Sequence, residues 1–388
     1  MFALNGIAAM LPRAFWAVSH REAFDHKMVQ TVRFDMETSY FTKTERMEKK
    51  FLSKRVCSVY RLDKVGKLWY DKAYGSNGNI SNGIEDVMNK NLSLQIQAVL
   101  YGNSRESLKR SLHSLANAVL VARGRGILGD VTLLWGDASP NPLFGEEEIA
   151  AWSAELSRTF GESAPALRYV FFDENTGYGK GHNRLFSNAT CDFLLILNPD
   201  IVVCHDFFEE MLAPFADETV GLTEARQTPV EHPKYYDEKT GETYWSSGAC
   251  FVMPAALYRT LGGFDDESFF MYCEDVDLSF RIRQTGKRLI YRPTAPVYHS
   301  RKFDTKDGSL MHTATELRHS AEAQMVFAYK WKFGSMLRYV KGLCRDGNEY
   351  QRAALESFEK RLHGGKLRQI AGDTSTFKKQ MDQHRFLM

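Results

Sequence analysis

Asp200 and His299 are the first residues of this chain whose types and positions suggest chemistry. Asp200 follows the apolar run Phe193–Leu197 directly after Pro199, and a carboxylate at the end of a buried strand can hold a divalent cation. His299 follows a second strand-like stretch, and an aspartate with a histidine suits a catalytic divalent metal. Taken singly, Asp200 is also consistent with an ordinary turn, and His299 with a structural hydrogen bond.

A second acidic group, Glu274 and Asp275, follows two glycines and a run of aromatic residues. The pattern predicts that both acids begin a helix that ends near Gln284, with Gly286 as its stop. An ionised carboxylate in such a position can act as a general base toward a hydroxyl group. The alternative is a helix with an acidic first turn and no catalytic role.

Alternating strands and helices must position these residues. From Leu92 onward the sequence predicts strands at 94–101, 131–135, 167–172 and 193–197, and helices after Ser104 and over 181–189. Such alternation indicates an α/β fold with a mostly parallel sheet flanked by helices. Ligands of these sheets bind at the carboxyl ends of the strands, and Asp137, Asn175 and Asp200 follow predicted strand ends.

The glycine-rich bend 177–181 offers a competing interpretation. It is similar to a dinucleotide-binding turn, but its third glycine comes one residue early and it lies in the middle of the α/β region. We therefore expect a bend that approaches a phosphate, with Lys180 beside it, and not a nicotinamide-dependent oxidoreductase.

Together these segments resemble the family 2 inverting glycosyltransferases of the GT-A fold, most closely their bacterial rhamnosyltransferase-like branch. The resemblance extends from about Leu92 to His299 and its motifs occur in the family's order. It is carried by residues 98–103, 136–139, 175–183, 197–200 and 247–249, and by GGFDDESFFMYCEDVDLSFR at 262–281. At the metal motif the family commonly has two acids, whereas this chain has Asn198, Pro199 and Asp200.

The resemblance implies an inverting, metal-dependent hexosyltransferase. Asp275 would be the catalytic base, and Asp200 and His299 would bind Mg²⁺ or Mn²⁺ on the donor diphosphate. Glu274 and Trp245 would face the acceptor. The residues implied to bind the donor are Tyr101, Asp137, Asn175, Lys180 and Asn198.

The implied reaction moves a sugar, such as rhamnose, from a dTDP- or UDP-sugar to a hydroxyl of a glycan or lipid-linked glycan acceptor in surface polysaccharide synthesis. The alternative is a catalytically decayed carbohydrate-binding or scaffolding protein of the same fold, which the single-acid metal motif motivates.

Composition limits the class of protein to which this chain can belong. The 388 residues are 44% hydrophobic and 25% charged, as in globular proteins, and a net charge of +2 gives no case for nucleic-acid binding. We predict an N-terminal extension over 1–90 without an assigned role, with a hairpin around the turn 64–67, a GT-A domain over 91–305 and a helical C-terminal region over 306–388. The six cysteines form no C-x-x-C pair and are expected to be reduced.

The C-terminal region is basic. From Lys330 onward it holds 13 Lys and Arg against 6 Asp and Glu, with aromatic and aliphatic residues at roughly helical spacing. Either this helix packs on the core, or it contacts anionic lipid at the inner face of the cytoplasmic membrane. The absence of an apolar run of ~18–20 residues and of a basic leader favours a cytoplasmic protein.

Overall fold

The computed structural model describes residues 58–62, 68–72, 90–231, 234–300 and 313–384. Strands β1 (Ser58–Leu62) and β2 (Leu68–Lys72) pair antiparallel, which confirms the predicted hairpin. The hairpin and the residues from Lys90 onward belong to two separate compact units. Apart from Lys90, the rest of the predicted extension lies outside the described residues.

The second unit is built on one nine-stranded sheet, of which one half is parallel. Four strands make this half in the order β5, β4, β3, β6: β3 (Leu92–Leu100), β4 (Leu128–Asp137), β5 (Ala166–Phe171) and β6 (Phe193–Leu197). Four of the five residues of β6 are buried, as expected for a central strand covered on both faces. This half confirms the predicted α/β layer.

The other half of the sheet is mixed. It contains β7 (Ile201–Val203), β8 (Val220–Thr228), β9 (Glu242–Thr243), β10 (Cys250–Pro254) and β11 (Arg288–His299). Strand β10 is antiparallel to both β6 and β8, β11 is parallel to β8, and β7 and β9 are antiparallel to β11. Antiparallel neighbours need no crossover helix, so the long connection before β10 can bring other residues to the site.

Within the described residues, six α-helices accompany the strands of this sheet. They are α1 (Arg105–Gly124), α2 (Glu146–Phe160), α3 (Gly177–Phe186), α4 (Phe207–Leu212), α5 (Ala255–Thr260) and α6 (Glu274–Gln284). Ser104 caps α1 by accepting the N–H of Ser107, and α6 has the predicted limits. Helix α3 begins four residues earlier than predicted, because Gly177, with φ +65°, lets the bend turn directly into the helix against the backbone of Phe270.

The C-terminal region is helical, as predicted. It consists of α7 (Ala314–Lys330), α8 (Gly334–Asp346), α9 (Glu349–His363) and α10 (Ser375–His384). Trp331 and Phe333 are buried against Phe280 of α6, with ring centroids 4.9 and 6.3 Å away, so this part of the region packs on the core. Tyr339 and Leu343 of α8 are exposed.

Two chain-wide expectations can be compared with the described residues. Their five cysteines form no disulfide, and Cys57 lies outside them. None of their helices combines the length and the apolar character that crossing a membrane would require.

Candidate active site

His299 and Asp200 lie together where β11 pairs with β7. His299 Nε2 is 3.5 Å from Asp200 Oδ1 and 3.2 Å from Asn198 Nδ2. The other ring nitrogen, Nδ1, is 2.8 Å from Gln227 Oε1, and because an amide oxygen only accepts, Nδ1 carries the hydrogen. This second contact orients the ring so that the Nε2 lone pair faces Asn198 and Asp200.

The chemistry of these donors fits a divalent cation. A nitrogen lone pair and a carboxylate oxygen at this separation repel each other unless a proton or a cation is shared between them. Mg²⁺ commonly takes one or two protein ligands and completes its shell with phosphate oxygens and water. Among the described residues no group of three His, Cys, Asp or Glu could hold a metal, so a cation at Asp200 and His299 would complete its shell with oxygens from a ligand or from water.

Glu274 and Asp275 begin α6, where the predicted base lies. The backbone N–H of Gly248 donates to Asp275 Oδ2 at 2.6 Å, and that of Val276 donates to Oδ1 at 2.8 Å. These two donors fix the orientation of the carboxylate. Glu274 is only 4% exposed, and its Oε2 has no hydrogen-bond partner among the described residues. A buried carboxylate oxygen without a partner calls for a ligand hydroxyl or a bound proton.

Burial raises the pKa of both carboxyl groups. For Glu274, desolvation and then the neighbouring Asp275 raise the pKa well above its ordinary value. For Asp275, desolvation outweighs the hydrogen bonds from Gly248 and Val276, so its pKa is raised as well. A carboxylate with a raised pKa is a stronger base while it stays ionised, so this environment suits proton abstraction.

The segment 247–249 connects the histidine–aspartate pair to the carboxylates of α6. The carbonyl of Ala249 accepts the N–H of Asn198 at 2.8 Å, while the preceding Gly248 donates to Asp275. The hydroxyl of Tyr178, from α3, donates to the carbonyl of Gly248. Gly248 therefore contacts Asp275, and the adjacent Ala249 contacts Asn198 beside the histidine–aspartate pair. The predicted metal ligands and the predicted base lie at the same end of the sheet.

Asp137 is enclosed at the end of β4 and organises the loop that follows. Its Oδ1 accepts the N–H of Ser139 at 2.9 Å, and its Oδ2 accepts the N–H of Leu143 at 2.7 Å and the hydroxyl of Tyr169 at 2.5 Å. Burial, and then the hydrogen bond to Asp137, raise the pKa of Tyr169 to about 12. The structure thus shows Asp137 holding this loop, and direct contact with a nucleoside stays a prediction.

Tyr101 lies beside that loop, as expected. Its side chain is 56% exposed at the end of β3, and the N–H of the next residue, Gly102, donates to Ser139 Oγ at 2.9 Å. A hydrogen bond therefore joins the Tyr101 and Asp137 loops, and contact of Tyr101 with a donor nucleoside stays a prediction.

Asn175 and Lys180 lie around the glycine-rich bend. Asn175 Oδ1 accepts the N–H of Gly177 at 3.1 Å and closes the bend, whereas Lys180 pairs with Glu174 at 2.8 Å on the surface. Tyr178, between them, is the residue of this segment that contacts the base region, and sequence reasoning missed it. The approach of Lys180 to a phosphate stays a prediction.

Trp245 is buried, with 3% of its surface exposed, and its contact with an acceptor stays a prediction. The carbonyl of Trp245 accepts Lys234 Nζ at 3.0 Å, and the same ammonium lies 4.7 Å from the centre of its ring. Lys234 also pairs with Glu224 of β8. Sequence reasoning missed both charged residues, although an acid in the apolar run of β8 was a usable signal.

Residues of the C-terminal region contact α6 and the loop that precedes it. Asp277 is fully buried and accepts from Trp331 Nε1 at 3.0 Å, from Lys330 at 2.6 Å and from Arg281 at 2.8 Å. Arg361 of α9 donates to two backbone carbonyls, those of residues 267 and 268. The loop before α6 and the helix itself are therefore held by residues of the C-terminal region.

The backbone is strained immediately before α6. Tyr272 and Cys273 both have positive φ, 71° and 62°, a left-handed conformation that residues with a Cβ seldom adopt. Strain of this kind is found where the surrounding structure holds a functional group in place. Here it precedes Glu274 and Asp275 directly.

Comparison with known proteins shows which family part of this chain is similar to. Residues 152–277, from α2 to the first turn of α6, match the family described as Glycosyl transferase family 2. The match includes Asp200, Glu274 and Asp275, and ends before His299.

Two curated relatives are rhamnosyltransferases. Rhamnosyltransferase WbbL of Escherichia coli (strain K12) is 26% identical over 202 residues, covering 42% of this chain and 70% of WbbL. The N-acetylglucosaminyl-diphospho-decaprenol L-rhamnosyltransferase of Mycobacterium tuberculosis (strain CDC 1551 / Oshkosh) is 39% identical over 70 residues, which is 18% of this chain and 22% of that protein.

One solved structure shows the fold. The crystal structure of GalNAc-T7 with UDP, GalNAc and Mn²⁺ has a TM-score of 0.50 and 14% identity, and the match covers 76% of this chain and 57% of that one. The chain therefore has a GT-A-like fold, and part of it is similar in sequence to family 2 glycosyltransferases, among them rhamnosyltransferases.

Proposed function

We propose that this protein is an inverting glycosyltransferase that moves a sugar, with rhamnose as the first candidate, from a dTDP- or UDP-sugar to a glycan hydroxyl. The observation that carries the proposal is the segment 247–249, which contacts Asn198 beside the Asp200–His299 pair and Asp275 at the same time. A donor diphosphate at the first group and an acceptor hydroxyl at the second would thus be neighbours, as a single displacement requires.

The arrangement of Asp275 supports the base role. Backbone N–H groups hold both carboxylate oxygens, so the carboxylate keeps one orientation toward the hydroxyl whose proton it takes. A single displacement needs one base and no enzyme nucleophile, and it inverts the anomeric centre. Glu274 Oε2 would hydrogen-bond a substrate hydroxyl and thereby gain the partner that it lacks among the described residues.

Asp200 and His299 are the residues that would hold Mg²⁺ or Mn²⁺. When bound, such a cation stabilises the negative charge that develops on the departing nucleoside diphosphate. The solved structure of similar fold contains UDP and Mn²⁺, in agreement with this chemistry. For this chain, metal use remains part of the proposal.

The acceptor is proposed to be a glycan, or a glycan on a lipid carrier, in surface polysaccharide synthesis. The mycobacterial relative is named for a sugar-diphospho-decaprenol substrate, which is a lipid-linked acceptor of this kind. The exposed Tyr339 and Leu343 of α8, with the exposed Arg338, are the described residues that would contact the membrane.

The catalytic proposal is tested by Asp275→Asn in a transfer assay with dTDP-rhamnose and a panel of UDP-sugars. Loss of the base should lower kcat by about 10²–10⁴-fold and leave donor binding unchanged, because the amide keeps the size of the side chain. The matched control is Asp130→Asn, at an exposed position of β4. Transfer by Asp275→Asn at the wild-type rate would overturn the base assignment. Donor binding without any transfer by the wild type would instead indicate the carbohydrate-binding alternative.

The metal proposal is tested by following the unfolding temperature with UDP or dTDP, with and without Mn²⁺. Mn²⁺ should add stabilisation in the wild type and in Asp130→Asn, because a ligand that binds the folded state raises the apparent stability. In Asp200→Asn the increment from Mn²⁺ should disappear. An unchanged increment would remove Asp200 from the metal site.

The membrane proposal is tested by co-sedimentation with anionic vesicles at low salt. The double variant Tyr339→Ser/Leu343→Ser should bind less, whereas Leu120→Ser/Val170→Ser, at two other exposed apolar positions, should bind as the wild type does. A wild-type protein that fails to sediment with the vesicles would contradict the proposal.

A further inference from the structure

Lys234 and Glu224 form an ion pair that is almost completely buried. Each side chain is 2% exposed, and Lys234 Nζ also donates to the carbonyl of Trp245 at 3.0 Å. Buried ion pairs are often replaceable by apolar residues without loss of stability, because desolvation of two charges offsets their attraction. Stability alone therefore does not explain why this chain keeps a lysine and a glutamate here.

The pair holds the segment that in turn holds Asp275. Glu224 Oε1 accepts the N–H of Ser247 at 3.1 Å, and the next N–H, that of Gly248, donates to Asp275 Oδ2 at 2.6 Å. Two consecutive backbone N–H groups thus bind two different carboxylates. Because Lys234 holds the carbonyl of Trp245, the segment 245–248 is held at three contacts, and the last of them is with the proposed base.

We propose that Lys234 and Glu224 are positioning residues for the Asp275 carboxylate, which fix the Gly248 N–H toward it and set the balance of charge around it. The inference rests on the proposed role of Asp275 as the base. Neither Lys234 nor Glu224 touches substrate in this proposal, and both act through the segment 245–248.

Five ionisable groups face Asp275 from the elements around it. They are Glu274 and Cys273 from its own chain segment, Tyr178 from α3, Glu224 from β8 and Lys234 from the following connection. The Lys234 ammonium lowers the pKa of Asp275 against the larger effect of burial, which raises it. The Asp275 carboxylate raises the pKa of Glu224, and because repulsion between two carboxylates acts on both, the Glu224 carboxylate opposes the ionisation of Asp275 in return. Removing the cation or the anion of the pair should therefore shift the titration of Asp275 in opposite directions.

The test compares Lys234→Met, Glu224→Gln and the double variant, with kcat/KM measured as a function of pH. A base must be ionised, so the acidic limb of the profile follows the pKa of Asp275. Lys234→Met should move this limb to higher pH and lower kcat/KM about three- to tenfold at its acidic end, and Glu224→Gln should move it to lower pH. The double variant should lie between the two.

A second measurement needs no substrate. In the full chain labelled with ¹³C at the aspartate carboxyl carbon, the Asp275 signal is identified by its absence in Asp275→Asn, and its titration should show the same opposite shifts. If Lys234→Met does not fold, as judged by its thermal unfolding, the same sign is read from the double variant against Glu224→Gln, because these two differ only at Lys234.

The matched control is the exposed pair Lys109–Glu155, at 2.8 Å, changed to Met and Gln in the same way. These variants should leave the Asp275 titration unchanged. Shifts in the same direction for Lys234→Met and Glu224→Gln, or no shift in either, would overturn the inference and leave the base role of Asp275 standing. Wild-type transfer by Asp275→Asn would overturn the base role itself.

Discussion

The two halves of the sheet are stabilised by different interactions. In the half formed by β3 to β6, the central strands bury aliphatic side chains such as Ile96, Leu133 and Leu195, all fully enclosed. In the half around β8, β10 and α6, charged side chains are buried among the apolar ones, and they include Glu224, Lys234, Glu274 and Asp277. Apolar burial stabilises the fold without fixing any particular orientation, whereas hydrogen-bonded charges fix orientation at little net stability. The second half therefore adds the geometry of the site to the stability that both halves gain from apolar burial.

The largest expected effect separates stability from activity in the first half. Ile96→Ala should lower the free energy of unfolding by about 2–5 kcal/mol, because it removes a fully buried side chain from the core. Urea unfolding measures this loss, and kcat/KM of the folded protein should stay unchanged. Val170→Ala, at an exposed position of β5, is the control and should change stability by less than about 0.5 kcal/mol. A lower kcat/KM in folded Ile96→Ala would contradict the claim that this half of the sheet affects stability without affecting the site.

A smaller effect should appear in both stability and activity in the second half. Trp331→Phe keeps an aromatic ring but removes the N–H that Asp277 accepts, and a hydrogen bond to a charged group contributes about 1.5–3 kcal/mol. Since Asp277 lies on α6, kcat should fall while donor binding is retained. Trp152→Phe is the control, because Trp152 packs on Trp135 and Phe144 in the other half. An unchanged kcat in Trp331→Phe would show that the C-terminal helices stabilise the fold without shaping the site.

The smallest effect is a gain in stability. The pKa of Glu274 is raised in the folded state, first by burial and then by Asp275, from an unfolded value of about 4.3. Above that value the folded protein keeps a proton that the unfolded chain releases, so this group destabilises the fold increasingly as pH rises toward its folded pKa. Glu274→Gln should therefore raise the unfolding temperature at pH 8, by about 2–4 °C for each kcal/mol gained, and match the wild type near pH 4.

The control for this gain is Glu147→Gln, at an exposed position of α2, which should change nothing at either pH. Transfer by Glu274→Gln should fall, because the side chain is proposed to bind a substrate hydroxyl. Equal unfolding temperatures for Glu274→Gln and the wild type at pH 8 would mean that the buried Glu274 carboxyl group does not destabilise the folded protein.

Local sequence patterns predicted the first half well. The run Phe193–Leu197 became β6 with the same limits, and Ser104 caps α1 as expected, because continuous apolar strands and side-chain caps are encoded by neighbouring residues. The limits of α6, from Glu274 to Gln284, were predictable for the same reason. The start of α3 was wrong by four residues, since it depends on the close approach of Gly177 to Phe270, far away in the chain.

The second half was less predictable because its contacts join distant residues. The burial of Trp245 beside Lys234 depends on a connection that no local pattern describes. Glu224, Lys234 and Tyr178 were missed for the same reason, since each acts through the backbone of residues 245–248. The residues proposed to bind the substrates were implied by motifs that resemble those of a known family, whereas those that hold them in place required the three-dimensional structure.

The contacts of Asp277 also have a consequence for biosynthesis. Trp331 is 54 residues further along the chain, so α6 leaves the ribosome well before the indole and ammonium groups that its carboxylate requires. Domains fold as their residues emerge, and the strands of the first half are complete by residue 197. A nascent chain can therefore assemble its apolar core early, while Asp277 gains its partners, and α6 its final support, only after α7 has been synthesised.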